Sequence, residues 1–186
     1  MRDNTKTWIT SDLHFGHKNI MNFCPQTRER FRNDVNYMTE AMIEEWNNKV
    51  EPADTVYILG DVAFLSGHNA ALVMMRLNGI KILVEGNHDR KTLMDVNFRK
   101  EFKEVHKYLD INYEGHKIIM SHYPFLEWDQ MHRGSLHFFG HLHGGQTGME
   151  KYRCMDVGMD STGEIVISLD RAIRMIKDNE IKKHHV

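Results

Sequence analysis

Seven side chains carry metal-ligand chemistry at points where apolar stretches stop. Asp12 and His14 follow the run WIT; Asp61 follows YILG; Asn87 follows ILVEG, with His88 and Asp89 directly behind it. His122 follows IIMS, and His141 and His143 follow HFFG. Five apolar runs thus deliver polar donors at their C-terminal ends, the edge where open α/β sheets bind ligands. Two Asp, one Asn and four His, with no Cys, form an oxygen and nitrogen set. Such a set suits Mn, Fe, Co, Ni or Zn rather than a thiolate-selected metal. Seven donors exceed one ordinary coordination sphere and fit two ions that share a bridging carboxylate. Asp12/His14 and His141/His143 are i, i+2 pairs. In extended backbone, residues two apart point the same way, so each pair is expected to reach into one site. Gly60, Gly86 and Gly140 each precede a candidate ligand, where a missing Cβ permits sharp turns and close approach. Singly, each motif is weak, and the histidines of FFGHLHGG alone read as a surface pair. Together, in this order and all at strand ends, they are poorly explained by chance.

The elements that must position these donors follow from hydrophobic periodicity. Residues 6–12 read as a strand, and residues 33–50 as an amphipathic helix with Val35, Met38, Met42, Trp46 and Val50 at helical spacing. Residues 54–60 read as a buried strand, 68–79 as a short helix closed by Asn78 and Gly79, and 80–89 as a buried strand running into a loop. This alternation points to an α/β sheet. Further strands are expected at 116–122, 135–143, 152–159 and 164–169. A last helix is expected from about 170 to 177, and then a polar, frayed tail over about 178–186, in which His184 and His185 have no assigned role.

Bulk properties narrow the class. A chain of 186 residues suits one domain, expected over 1–186. No apolar run approaches the roughly 20 residues needed to span a bilayer, and the N-terminus shows no apolar targeting segment. With two cysteines in no metal-type spacing, no disulfide framework is expected and the reading is cytoplasmic, with free thiols. A net charge of -2 gives no global argument for nucleic acid or membrane. Thirteen methionines read as flexible core filler.

The series DLH, GD, GNHD, SH and GHLH, from Asp12 to His143, resembles the calcineurin-like metallophosphoesterase superfamily. DLHFGHKNI and HYPFLEWDQMHRGSLHFFGHLHG are similar to stretches of the small single-domain phosphoesterases of bacteria and phages. The resemblance implies an α/β fold, a four-layer α-β-β-α sandwich with two central mixed β-sheets and a dimetal centre at the strand ends. It implies one metal on Asp12, His14, Asp61 and His143, and another on Asp61, Asn87, His122 and His141, with Asp61 bridging. The ions would stand about 3.5–4 Å apart, and a hydroxide between them would attack phosphorus in line with the leaving oxygen. Manganese is the first expectation, with Fe, Ni, Co and Zn as alternatives. His88, left over once the metals are satisfied, is the candidate general acid. Asp89 either orients His88 or stabilises its protonated form, or is a loop or helix-cap carboxylate.

The substrate is less constrained. His17 touches a substrate phosphate, braces a ligand, or is a polar loop residue; Arg133 and His132 reach a phosphate or are solvated. Tyr123 and Pro124 fix the turn after His122, and Asn19 is a weaker candidate. Arg28, Arg30 and Arg32 form a local basic patch diluted by Glu29 and Asp34, and Phe125 and Trp128 stack a base or simply pack. The protein Ser/Thr phosphatases of the superfamily carry an Asp and Arg shortly after GD, and GDVAFLSGH lacks them. Two divalent ions, two aspartates and a hydroxide leave one positive charge, which matches a phosphodiester monoanion better than a monoester dianion. The expectation is a phosphodiesterase on a small, nucleotide-like diester, with monoesterase, nucleotide pyrophosphohydrolase and nuclease as enzymatic alternatives. Nucleic acid is not the favoured partner, and the oligomeric state is open. An interaction module that keeps the fold without the activity is the non-enzymatic alternative.

Overall fold

The computed structural model describes residues 5–183; His184 and His185 lie outside them. Two mixed sheets form its centre. One contains β1 (Thr7–Thr10), β2 (Thr55–Ile58), β3 (Ile80–Val84), β4 (Phe102–His106) and β9 (Ile167–Ser168), in the order β4-β3-β2-β1-β9. Its first four strands run parallel and β9 is antiparallel to β1. The other contains β5 (Leu109–Tyr113), β6 (His116–Met120), β7 (Leu136–Phe139) and β8 (Cys154–Asp156), in that order. There β5 and β6 form an antiparallel hairpin, and β6, β7 and β8 run parallel.

Parallel strands need crossovers, and in the first sheet helices supply them. α1 (Ile20–Phe23), α2 (Pro25–Arg28) and α3 (Val35–Asn47) connect β1 to β2, and α4 (Gly67–Met74) connects β2 to β3. α5 (Asp89–Thr92) and α6 (Val96–Lys100) lead to β4; α7 (Met159–Thr162) and α8 (Leu169–Ile176) flank β9. Local signals set the ends of the long helices. Asp34 caps α3 by accepting from the backbone N–H groups of Asn36 and Tyr37, and Ser66 and Ser168 cap α4 and α8.

Strand alternation divides the core. Val56, Ile58 and Leu83 face α3 and α4, where Met38, Met42 and the fully buried Trp46 meet them. Ile9, Leu59, Ile82 and Val84 face Ile118, Met120, Leu136 and Phe138 of the second sheet. Strands covered on both faces read as continuous apolar runs, which is why they were visible in the sequence. The outer face of the second sheet is covered by Trp128, Met131 and Met149 from loops and a 3-10 turn.

Several boundaries differ from expectation. Strands 152–159 and 164–169 shrink to β8 and β9, because Gly158 starts α7 and Ser168 starts α8. The tail is tied down as far as residue 182. The Asn179 side chain donates to the carbonyls of Glu150 and Tyr152, the Glu180 N–H donates to the Lys151 carbonyl, and Lys182 reaches the Leu126 carbonyl. No helix among the described residues is long and apolar enough to cross a membrane.

Candidate metal centre

The loops leaving β1, β2, β3, β6 and β7 converge at one edge of the two sheets. They bring the donors into two groups, Asp12 with His14 and His143, and Asp61 with His122 and His141. Within each, the ligand atoms lie within 4.8 Å of one another. The groups meet at Asp61, whose Oδ2 stands 3.8 Å from His14 Nε2 and 3.6 Å from His122 Nε2. His14 Nε2 and His143 Nε2 lie 3.7 and 3.8 Å from Asp12 Oδ1. These gaps are too long for hydrogen bonds. They suit donors that each stand about 2.0–2.2 Å from a shared ion.

Two buried atoms test that fit. Asp12 Oδ1 and His14 Nε2 are fully buried and have no hydrogen-bond partner. An unpaired buried carboxylate oxygen is costly, and a cation removes the cost. On the other side, His122 Nδ1 donates to the Leu59 carbonyl at 2.7 Å, so the neutral ring presents a lone pair at Nε2. Asn87 Oδ1 lies 2.8 Å from that Nε2. Two acceptors at that distance are reconciled by a shared cation or by turning the amide over.

The expected side-by-side projection from extended backbone is not how the pairs work. β1 ends at Thr10 and β7 at Phe139, before the donors begin. Asp12, His14, Asp61, His141 and His143 all have positive φ, from 48° to 74°. Left-handed backbone is uncommon for residues with a Cβ and costs of order 1 kcal/mol or more each. Such turns place Asp12 and His14 in one group, and divide His141 and His143 between the two adjoining groups. Close approach is also built in. A Cβ on Gly140 would come within 1.9 Å of Ser11 Oγ and 2.4 Å of Asp12 Oδ2, and one on Gly86 within 2.4 Å of Asp61 Oδ1.

Backbone donors fix the carboxylates. The His141 N–H donates to Asp12 Oδ2 at 2.7 Å and the His88 N–H to Asp61 Oδ1 at 2.9 Å. Of the two readings of Asp89, the bonds it makes are those of a bracing loop carboxylate. Its buried carboxylate accepts from the backbone N–H groups of Asp61, Val62 and Gly86 at 2.8–2.9 Å, locking two donor loops together rather than orienting His88. Burial raises its pKa against those bonds. Burial lowers the pKa of His14 and His141. For Asp12, burial pushes up, but His14 and the charges of His122 and His143 bring the net shift down.

His88 is half-exposed, with Nε2 3.9 Å from Asp61 Oδ2. It lines a cleft of about 640 Å³ with His14, His17, Phe23, Phe64 and Leu142. His17 Nδ1 is 3.1 Å from His14 Nδ1, and its ring stacks on Phe64 at 3.9 Å. Burial lowers the His17 pKa to about 4. A second cleft of about 250 Å³ opens on the His122 side, lined by Asn87, Lys107 and Tyr123.

Other candidates go elsewhere. Arg133 sits on the 3-10 turn that precedes β7, at the opposite end of that strand from His141, and is exposed. An extended strand rising about 3.3 Å per residue puts it out of reach. Arg28 is fully buried, Arg30 pairs with Glu45, and Arg32 lies over the Tyr37 ring, so no basic patch forms. Trp128 is buried and Phe125 stacks on His137 at 5.1 Å, so both pack. Sequence reasoning missed Asp160, whose Oδ2 lies 2.7 Å from His143 Nδ1. The strand-end logic that found the other donors applied here too, since Asp160 directly follows the expected strand 152–159.

Residues 5–145 match the family described as calcineurin-like phosphoesterase. The uncharacterized protein MJ1445 of Methanocaldococcus jannaschii is 28% identical over 182 residues, covering 95% of this chain and 94% of its own. The gene 66 protein of Mycobacterium phage L5 is 27% identical, over 87% of this chain and 90% of its own. Among solved structures, the Aquifex aeolicus protein of unknown function AQ665 is similar in fold. It has a TM-score of 0.72 and 24% identity, over 93% of this chain and 100% of that one.

Proposed function

The chain belongs to the calcineurin-like phosphoesterase family, and from that premise we propose that it is a two-metal phosphodiesterase acting on a small diester. One observation carries the reading. Two groups of carboxylate and imidazole donors meet at a single oxygen of Asp61, and two buried donor atoms among them have no protein partner. One ion would be held by Asp12, His14, Asp61 and His143, the other by Asp61, Asn87, His122 and His141. Bound divalent ions would supply Lewis-acid charge and bring the pKa of water near neutrality. Family membership makes manganese the first choice, and the oxygen and nitrogen donors equally admit Fe, Co, Ni or Zn.

The chain's own groups divide the remaining work. His88, beside Asp61 and open to the larger cleft, donates a proton from its imidazole to the leaving oxygen. Phe64, Phe23 and Leu142 give that cleft apolar walls for the leaving group, and His17 stands at its rim. Lys107 and Tyr123 line the other cleft and meet the polar remainder of the substrate. Asp89 keeps the Asp61 and Gly86 loops in register while this happens. Two aspartates and a hydroxide against two divalent ions would leave one positive charge, which suits a monoanionic diester.

The test compares bis-nitrophenyl phosphate with nitrophenyl phosphate, each with Mn²⁺ and after chelation. The expected result is metal-dependent turnover with the diester at least about tenfold faster in kcat/KM. A faster monoester overturns the diester assignment. No turnover with Mn, Fe, Co, Ni or Zn overturns the enzyme and favours an interaction module.

A further inference from the structure

We infer that Arg28 and Asp160 are positioning residues that make the Asp12, His14 and His143 group the tighter of the two metal half-sites. The inference rests on the reading that the two groups hold metals.

The chemistry starts at His143. Its Nδ1 donates to Asp160 Oδ2 at 2.7 Å, so the proton sits on Nδ1 and the Nε2 lone pair faces Asp12. A carboxylate behind an imidazole fixes the tautomer and the ring plane and makes the free nitrogen more basic. Asp160 is itself held. Arg28 donates to both of its oxygens at 2.8 Å, and Thr27 Oγ1 adds a bond to Oδ1. The same guanidinium donates to the carbonyls of Asp12 at 2.7 Å and Leu13 at 3.0 Å. One fully buried cation therefore ties the loop that carries Asp12 and His14 to the carboxylate that holds His143. Planar, bidentate recognition of this kind is what guanidinium does and ammonium does not.

The other half-site has a weaker backing. His122 Nδ1 donates to the neutral carbonyl of Leu59, and the His141 ring rests edge-on against Tyr123. Asn87 is a neutral donor on an exposed residue. The loading order follows: the first ion enters beside Asp12, and the second exchanges more readily beside His122.

Metal-free full-length protein is titrated with Mn²⁺ by equilibrium dialysis with metal analysis, and the bound ions are followed by electron paramagnetic resonance. The wild-type protein is expected to bind two ions, the first at least about tenfold tighter, with its signal changing to that of a coupled pair as the second enters. Asp160→Asn, which keeps the shape and loses the charge, is expected to weaken the first step by about 10–100-fold and the second by less than about threefold. Arg28→Lys is expected to do the same in the same direction. In a His143→Gln background, Asp160→Asn should change metal binding less than about twofold, because its route of action is gone.

First-step affinity within about twofold of wild type in Asp160→Asn overturns the inference. Equal weakening of both steps, or an undiminished Asp160→Asn effect in the His143→Gln background, also overturns it by making the pair merely structural. Should Arg28→Lys fail to fold, Asp160→Asn and its double variant decide alone. A wild-type protein that binds no metal removes the underlying two-metal reading as well. Two bound ions indifferent to Asp160 remove only this inference.

Discussion

The two halves of the site use the same donor types on different supports. Behind Asp12, His14 and His143 stands a buried ion pair, Arg28 with Asp160, that reaches both loops of its half. Behind Asp61, His122 and His141 stand backbone groups: the Leu59 carbonyl under His122, and N–H donors under Asp61 and Asp89. The difference is physical as well as descriptive. A buried guanidinium–carboxylate pair is directional and costly to break, whereas a carbonyl offers one neutral acceptor that any fold can present. The chemistry is asymmetric too, because His88 and the apolar cleft lie toward His14, while Lys107 and Tyr123 lie toward His122.

The harshest way to break the comparison is Asp61→Asn, since this residue belongs to both halves. Turnover is expected to fall by more than about 10³-fold, a loss of over about 4 kcal/mol of transition-state stabilisation. Steady-state kinetics with saturating Mn²⁺ measure it, and a loss under tenfold would mean the halves do not share a carboxylate. His88→Ala sharpens the functional asymmetry. An alkyl leaving group should lose about 10²–10⁴-fold, the usual reach of a positioned acid, while a nitrophenolate loses far less. Equal losses on both would remove His88 as the acid.

Phe64→Ala probes the same side more gently. Its ring lies 4.4 Å from His88 and 3.9 Å from His17. Losing one aromatic contact of about 1 kcal/mol should raise KM roughly fivefold for a diester with an aromatic leaving group and leave an alkyl one nearly unchanged. Equal effects on the two would place the leaving group elsewhere.

A stability measurement away from the site isolates what carbonyl support does to a histidine. His137 is fully buried, its Nδ1 donates to the Ile119 carbonyl, and its Nε2 accepts from the Phe125 N–H. Burial holds its pKa down to about 4. The unfolded chain takes up this proton near pH 6.5 and the folded chain does not, so stability falls as pH drops through that window. The loss is on the order of 3 kcal/mol by pH 4. Urea unfolding of metal-free protein at pH 7 and pH 4.5 should show a shallower decline for His137→Gln than for wild type. Identical slopes would mean that His137 is not held neutral.

Much of the site was legible because its donors follow apolar runs, and two-sided burial makes such runs conspicuous. The tight glycines before Asp61, Asn87 and His141 were legible for the same reason. What stayed hidden is long-range. Arg28 reads as one of three neighbouring arginines, and contacts with the Asp12 and Leu13 carbonyls and with a carboxylate 132 positions away turn it inward. Asp89 reads equally as a partner for the adjacent His88 or as a loop carboxylate, and only its bonds back to residues 61 and 62 separate the two. The edge strands β4 and β5 escaped because their exposed positions break the apolar pattern.

By itself, the sequence determined the donor inventory, the order of the motifs, the α/β alternation and hence the family, since residue type and periodicity are local properties. Tertiary structure alone decided through which backbone those donors are delivered. Left-handed turns, not extended pairs, send His141 and His143 to different neighbours. It also decided that a single buried guanidinium supports one half of the site, because a charge is admitted to the interior only where distant segments meet it with partners.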